Sequence, residues 1–307
     1  MSLKQKSLPT KRLRIALIIA VMTGVLFAWH KEATSGHSQA AEPIEQKELS
    51  ASVDLQTAEA AAIGAEGYGI LATGGDQNRR PIASIAKVIT ALALLEKHPL
   101  NPGESGPSIP ITEADEQLYR DYVAKNGTVV LIKAGVPITL HDALEAMLLP
   151  SANNVADTAV IWAFGSLEAY HQHANNMLWR FGLHHTTVGG DASGLSPLTQ
   201  STASDLVKLG EIALKNPVIA QIVASGSAEI PFAGPIPNYN SLVTDYGFNG
   251  IKPGDSIEAG ITMLFSTKQT INNKEVTLIG TVLGAQTYQD VNDQAVALVN
   301  SVISTQP

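Results

Sequence analysis

The chain has no cysteine among its 307 residues. A disulfide framework, a thiolate zinc site and a lipid-modified cysteine anchor are therefore excluded. Histidines at helical i, i+4 spacing are also missing: His171 and His173 lie two apart, and His184 and His185 are adjacent. Neither pair sets two ligands on one helical face, so no metal is expected. Acidic side chains are almost absent from the first 40 residues, where Glu32 stands against six of the 20 Lys and Arg. The remainder then holds 27 acidic and 14 basic groups, a net of −13. Such a body repels phosphate backbones, which excludes nucleic acid as a partner. There is no internal repeat, and no arginine follows Arg180.

What is present starts with a basic head. Lys4, Lys6, Lys11, Arg12 and Arg14 precede an uncharged apolar run from Ile15 to Trp29, the layout of a secretory signal peptide or signal anchor over residues 1–29. Without a twin-arginine pair, the general secretory route is the simpler one. Ser38-Gln39-Ala40 offers small residues for cleavage; whether the segment is cut or kept as a membrane anchor stays open. The expected location is outside the cytoplasm, in the cell envelope or secreted, with any membrane attachment through the N-terminus. Residues 30–56 are polar, rich in Ala, Ser and Glu, and read as a flexible linker. The folded body is expected from Thr57 to the end, residues 57–307, and 45% hydrophobic residues with 16% charged suit an ordinary globular domain.

Within that body, Glu59 to Ala72 reads as a hairpin. From Ile82 to Leu95 the residues are apolar almost all round, interrupted chiefly by Ser84, Lys87 and Thr90. A helix with no polar face is a buried one. Burial disfavours the ammonium form of Lys87, and a lysine pushed toward neutrality is a better base. Ser84 and Lys87 stand one turn apart on one face, which makes them a candidate nucleophile and base. Ser84 also falls near the helix N-terminus, where unpaired N–H groups favour developing negative charge. Val129 to Lys133 reads as a strand, Thr139 as the cap of a helix over 140–148 with Asp142 in the capping-box position. Leu149-Pro150-Ser151-Ala152-Asn153-Asn154 opens another helix running to about Phe164. Helices over 170–181 and 201–214 follow, the latter capped at Ser201 or Ser204. Strand signals then recur at 241–243, 248–251, 260–266 and 275–284, before a closing helix over 290–303. Gly250-Ile251-Lys252-Pro253-Gly254-Asp255-Ser256 places a lysine on a strand, followed by glycine and a small hydroxyl residue. A substrate backbone can lie along such a strand while the cation faces the pocket. Strands at both chain ends with helices between them give an α/β layered fold, its sheet largely antiparallel and flanked by helices, its middle a helical lobe.

S-x-x-K at Ser84, S-x-N at Ser151 and K-x-G at Lys252 together resemble the penicillin-binding protein and serine β-lactamase superfamily. Within it the chain is similar to low-molecular-weight D-alanyl-D-alanine carboxypeptidases of the S11 peptidase type, over roughly residues 57–304. Met147-Leu148-Leu149-Pro150 ahead of Ser151, Asp191-Ala192-Ser193-Gly194-Leu195 in a loop, and Ala259-Gly260 after the third motif add to the likeness. The resemblance implies a β-lactamase/transpeptidase-like fold and a serine carboxypeptidase of peptidoglycan stem peptides, acylated and inhibited by β-lactams. It implies that Ser84 attacks the carbonyl between two D-alanines and that Lys87 takes its proton. Ser151 would relay a proton to the leaving amine, Asn153 would hold Lys87 and the substrate amide, and Lys252 would keep the network electropositive. The backbone N–H groups of Ser84 and Asp255 would form the oxyanion hole, with Gly254, Asp255 and Ser256 against the substrate. Two positions depart from the family pattern. Pro253 stands where a threonine or serine usually helps hold the terminal carboxylate, and proline supplies neither hydroxyl nor N–H. The stretch Glu275-Val276-Thr277-Leu278 lacks the arginine that often pairs that carboxylate. The alternatives are a non-catalytic or weakly active penicillin-binding or wall-binding protein, which Pro253 favours, and a β-lactamase. The latter would need a deacylating glutamate loop, a pattern that Glu168 and Glu229 do not show.

Overall fold

The computed structural model describes residues 49–304. The expected export segment and residues 30–48 of the expected linker lie outside the described residues. β1 (Ala60–Ala65) turns into β2 (Gly69–Gly75) as the hairpin signal implied, with Gly67 and Gly69 at φ of 77° and 76° carrying the reversal. The chain then leaves for the helical lobe and returns to the sheet as β5 (Gly250–Ser256), β6 (Gly260–Ile271) and β7 (Lys274–Ala285). The strand order is β2-β1-β7-β6-β5, every neighbour antiparallel. Ala60 lies opposite Leu283, so the first and last strands of the body close one sheet. Asn272 and Asn273, at φ of 51° and 61°, form the two-residue turn between the long strands β6 and β7. Both positions of that turn type need positive φ, which asparagine tolerates.

Side chains alternate across the sheet. Ala60 and Ala62 face one core with Leu264 and Ile279, while Ala61 and Ile63 face the other with Met263, Phe265 and Leu278. β1 is buried along its whole length because both faces are covered. The first core joins the sheet to the lobe through α6 (Ala203–Leu214), and the second is roofed by α9 (Tyr288–Ser304). Strands from both ends of the body thus form one sheet, with the helical lobe between them in sequence, as the pattern of elements implied.

The lobe comprises α1 (Ala86–Lys97), α2 (Glu113–Ala124), α3 (Leu140–Leu148), α4 (Asn153–Phe164) and α5 (Leu167–Arg180). Every residue of α1 from Ala86 to Leu95 is buried, Lys87 and Thr90 included. Capping boxes start α2 at Thr112 with Asp115, and α3 at Thr139 with Asp142. α6 is capped by Thr202, whose hydroxyl accepts the Asp205 N–H, and not by Ser201 or Ser204. No helix among the described residues is long and apolar enough to cross a membrane.

Three further expectations differ. Residues 49–56 pack against the second core and do not act as a linker: Leu49, Ala51, Val53 and Leu55 alternate inward with period two. The Gln294 side chain fixes this stretch, donating to Asp54 O at 2.8 Å and accepting from Gln56 N–H at 3.2 Å. Val129–Lys133 has no strand partner; the Asn154 amide replaces one, accepting from Val130 N–H (3.1 Å) and donating to Val130 O (2.9 Å). Ser241–Thr244 is one helical turn, α8, because Asn240 caps it through the Leu242 N–H. Between α6 and α8 stand a short helix, α7 (Pro217–Val223), and a small hairpin of β3 (Ser227–Ile230) and β4 (Gly234–Pro237). Their prolines and glycines had obscured any period.

Candidate active site

Where the helical lobe meets the edge strand β5, a cavity of about 460 Å³ is lined by Ser84, Asn126, Gly127, Thr128, Ser151, Asn153, Leu195, Tyr239, Ser241, Lys252, Pro253, Gly254, Asp255 and Tyr288. Ser84 lies in a single 3-10 turn, Ala83–Ile85, that leads directly into α1. Ala83 ahead of it is held at φ 46°, a conformation that costs an alanine about 1–2 kcal/mol and is retained only where the surroundings enforce it. The enforcing neighbours are visible. A Cβ on Gly194 would run into the carbonyl of Ala83, and one on Gly254 would come within 2.9 Å of the Ser84 nitrogen. Two glycines thus let the 191–196 loop and strand β5 close on the turn that carries Ser84.

Lys87 Nζ is fully buried and meets three acceptors: Ser84 Oγ at 2.8 Å, Asn153 Oδ1 at 2.7 Å and the Ser193 carbonyl at 2.9 Å. Burial lowers its pKa to about 7, and the negative charges of Asp191 and Asp157 limit the fall. Near neutrality the amine therefore loses a proton readily. Its lone pair can then face Ser84, and the hydroxyl becomes the donor.

Asn153 opens α4, its own N–H donating to Thr128 O at 2.8 Å. A Cβ on Gly127 would lie 2.8 Å from its side-chain nitrogen, so glycine there lets the loop approach. Ser151 precedes the helix at φ 71° and is nearly buried. Left-handed backbone at a serine aims its hydroxyl off the helix path. Lys252 is fully buried on β5 and donates to Pro253 O at 3.3 Å. Burial first, and then the charge of Lys87, hold its pKa well below the ordinary lysine value.

β5 is paired with β6 on one side only. A proline lacks the N–H that a ladder partner would accept, so Pro253 fits where the backbone points to the open edge. Residues two apart point the same way, so the N–H of Asp255 also faces the cavity. The Asp255 side chain is exposed there, and the Tyr288 hydroxyl donates to its Oδ2 at 3.4 Å.

The structure therefore brings together Ser84, Lys87, Ser151, Asn153, Lys252, Gly254 and Asp255. Ser256 stands apart: its hydroxyl accepts the Ala259 N–H at 3.1 Å, inside the turn from β5 to β6, and it does not line the cavity. Tyr239, Ser241 and Tyr288 carry no motif signal and reach the site only through the fold. A further cluster of His141, Asp142 and Glu145 lies along α3, outside this cavity.

The fold is that of DD-transpeptidases. The Streptomyces K15 DD-transpeptidase superposes with a TM-score of 0.73 at 22% identity, covering 82% of this chain and 99% of that one. An evolved penicillin-binding protein homolog from Mycobacterium tuberculosis gives 0.72 at 27% identity, covering 84% and 95%. Residues 44–287 match the D-alanyl-D-alanine carboxypeptidase family, peptidase S11, and the chain belongs to that family. With it, the chain belongs to the serine-type enzymes of peptidoglycan metabolism. Among curated relatives, a D-alanyl-D-alanine endopeptidase from Haemophilus influenzae is 30% identical over 68% of this chain and 70% of its own length. The D-alanyl-D-alanine carboxypeptidase DacB2 of Mycobacterium tuberculosis is 31% identical over 53% of each.

Proposed function

We propose that Ser84 is the nucleophile of a D-Ala-D-Ala carboxypeptidase acting on peptidoglycan stem peptides. The observation that carries this is Lys87 Nζ, buried, shifted to about pKa 7 and 2.8 Å from Ser84 Oγ. Ser84 gives its proton to Lys87 as its oxygen bonds to the carbonyl carbon of the penultimate D-alanine. The oxyanion is held by the N–H groups of Ser84 and Asp255. The C–N bond breaks as the proton held by Lys87 is relayed through Ser151 to the departing amine, and terminal D-alanine leaves. Water then attacks the ester carbonyl, giving a proton to Lys87, and that proton returns to Ser84 Oγ as the ester bond breaks. Asn153 orients Lys87, and Lys252 keeps the cavity electropositive. A β-lactam acylates the same serine and blocks it. We further propose that residues 1–29 direct export, so that the domain works in the cell envelope.

A second reading has its own observation. Pro253 offers the substrate's terminal carboxylate no hydroxyl, and the Asp255 carboxylate at the cavity rim opposes it. Two curated relatives are D-alanyl-D-alanine endopeptidases, and cleavage within a cross-linked stem would rely less on a free C-terminal D-alanine. Mass spectrometry of products from pentapeptide and cross-linked muropeptides, with wild type and Ser84→Ala, separates the readings. Loss of D-alanine from the pentapeptide supports the first, and opened dimers support the second. Equal product from Ser84→Ala contradicts both.

A further inference from the structure

Asp157 is a buried carboxylate, 3% exposed, to which the mechanism above gives no part. It lies on α4 one turn beyond Asn153, on the same face. Both of its oxygens are engaged. The Tyr122 hydroxyl, reaching over from α2, donates to Oδ2 at 2.6 Å, and the Ala192 N–H donates to Oδ1 at 2.9 Å. The Ala192 carbonyl accepts the Thr90 hydroxyl at 2.7 Å, and the next carbonyl, that of Ser193, accepts Lys87 Nζ. Thr90 is one turn after Lys87 on α1. A closed circuit results: Lys87 to Ser193, along the backbone to Ala192, to Asp157, down α4 to Asn153 and back to Lys87.

From this arrangement we propose that Asp157, held by Tyr122, is a positioning residue for Lys87: it anchors the loop backbone at the Ala192 N–H so that the next carbonyl, that of Ser193, stays against the amine, and its carboxylate bears on the amine's charge. The inference rests on the reading of Ser84 and Lys87 as nucleophile and base. The other groups around Lys87 are Asp191 from the loop, Lys252 from β5, and the phenols of Tyr122 from α2 and of Tyr170 from α5, the last joined through Thr90. Asp191 is committed to the loop backbone, accepting N–H groups from Ser193, Gly194 and Ser196 at 2.6–2.7 Å. Asp157 spends its bonds instead on one peptide and one phenol. Burial raises its own pKa to about 6, while the bonds from Tyr122 and Ala192 oppose the rise. Above that value it is ionised and supports the lysine's charge.

The test is the rate of Ser84 acylation by a fluorescent penicillin as a function of pH, in wild type, Asp157→Asn and Tyr122→Phe. Wild-type acylation should rise through a midpoint near pH 7, as Lys87 becomes neutral. Removing the negative charge should move that midpoint to lower pH, by at least about half a unit for Asp157→Asn. Tyr122→Phe should move it the same way by less, because an Asp157 without the phenol stays protonated to higher pH. A lower plateau with an unmoved midpoint in both variants overturns the inference, since a purely structural carboxylate would reduce the rate at every pH. If Asp157→Asn does not fold, Tyr122→Phe decides alone. No label on wild-type Ser84 at any pH contradicts the functional reading itself, a result distinct from an unmoved midpoint.

Discussion

Lys87 and Pro253 pose opposite problems at the scale of single residues. An amine ringed by three acceptors keeps its hydrogens placed, while full burial makes charge costly, and the balance near pH 7 lets the amine release and regain a proton at physiological pH. Its pairing with Ser84 was legible in the sequence, since a lysine inside an apolar run needs a reason. Asp157 sits in an equally apolar run, Val155 to Phe164, and the same reasoning would have flagged it. Ser256 misled because a small hydroxyl after glycine suits a turn as well as a ligand, and here it closes the turn. Pro253 is a departure whose outcome is measurable. Pro253→Thr restores a hydroxyl at the cavity wall, and one hydrogen bond to a carboxylate should raise D-alanine release from pentapeptide about tenfold at subsaturating substrate. An unchanged or lower rate, measured by D-alanine assay, would mean that the pocket is adapted to a different leaving group.

Two elements set the geometry of the cavity: edge strand β5 and the 3-10 turn ahead of α1. Their approach depends on Gly254, where an added Cβ would meet Thr262 Oγ1 at 2.6 Å, Ser84 N at 2.9 Å and Ala83 Cβ at 3.1 Å. Gly254→Ala should therefore push β5 away from the oxyanion position. A displacement of this size costs on the order of 100-fold in acylation rate. Circular dichroism should stay near wild type, because β6 still holds the strand through seven paired positions. A wild-type acylation rate would show that the strand and the turn are not in register for catalysis. Periodicity revealed most of these elements: the hairpin, the capping box at Thr139 and the closing helix follow from local pattern. It could not show that Val129–Lys133 is held by a side-chain amide, because that contact comes from Asn154 on a different element. Residues 49–56 show the converse, since their alternation was in the sequence but became meaningful only with α9 to pack against.

Across the whole molecule, the helical lobe and the sheet enclose two lysines that burial disfavours as cations. The fold class and the order of the three motifs were legible because each motif is local, whereas their convergence depends on a sheet that joins residue 60 to residue 283. The stability consequence has a definite sign. Lys87 and Lys252 have folded pKa values below 10.5, so between those values and 10.5 the unfolded chain binds more protons than the folded one. Stability from this source is fully present above pH 10.5 and is lost progressively as pH falls from there to the folded values, for Lys87 about 7. Thermal midpoints should thus rise between pH 7 and pH 9. Lys252→Met, which removes one buried amine, should raise stability at pH 7 by about 1 kcal/mol and flatten the rise, while abolishing acylation. A midpoint that falls from pH 7 to pH 9 in wild type contradicts this description of the interior. The central claim, that Ser84 is a nucleophile activated by Lys87, is tested most directly by intact-protein and peptide mass spectrometry after exposure to benzylpenicillin. One covalent adduct on the peptide containing Ser84, absent from Ser84→Ala and from Lys87→Arg, is the result the account predicts. An adduct elsewhere, or one that forms equally in Lys87→Arg, would contradict it.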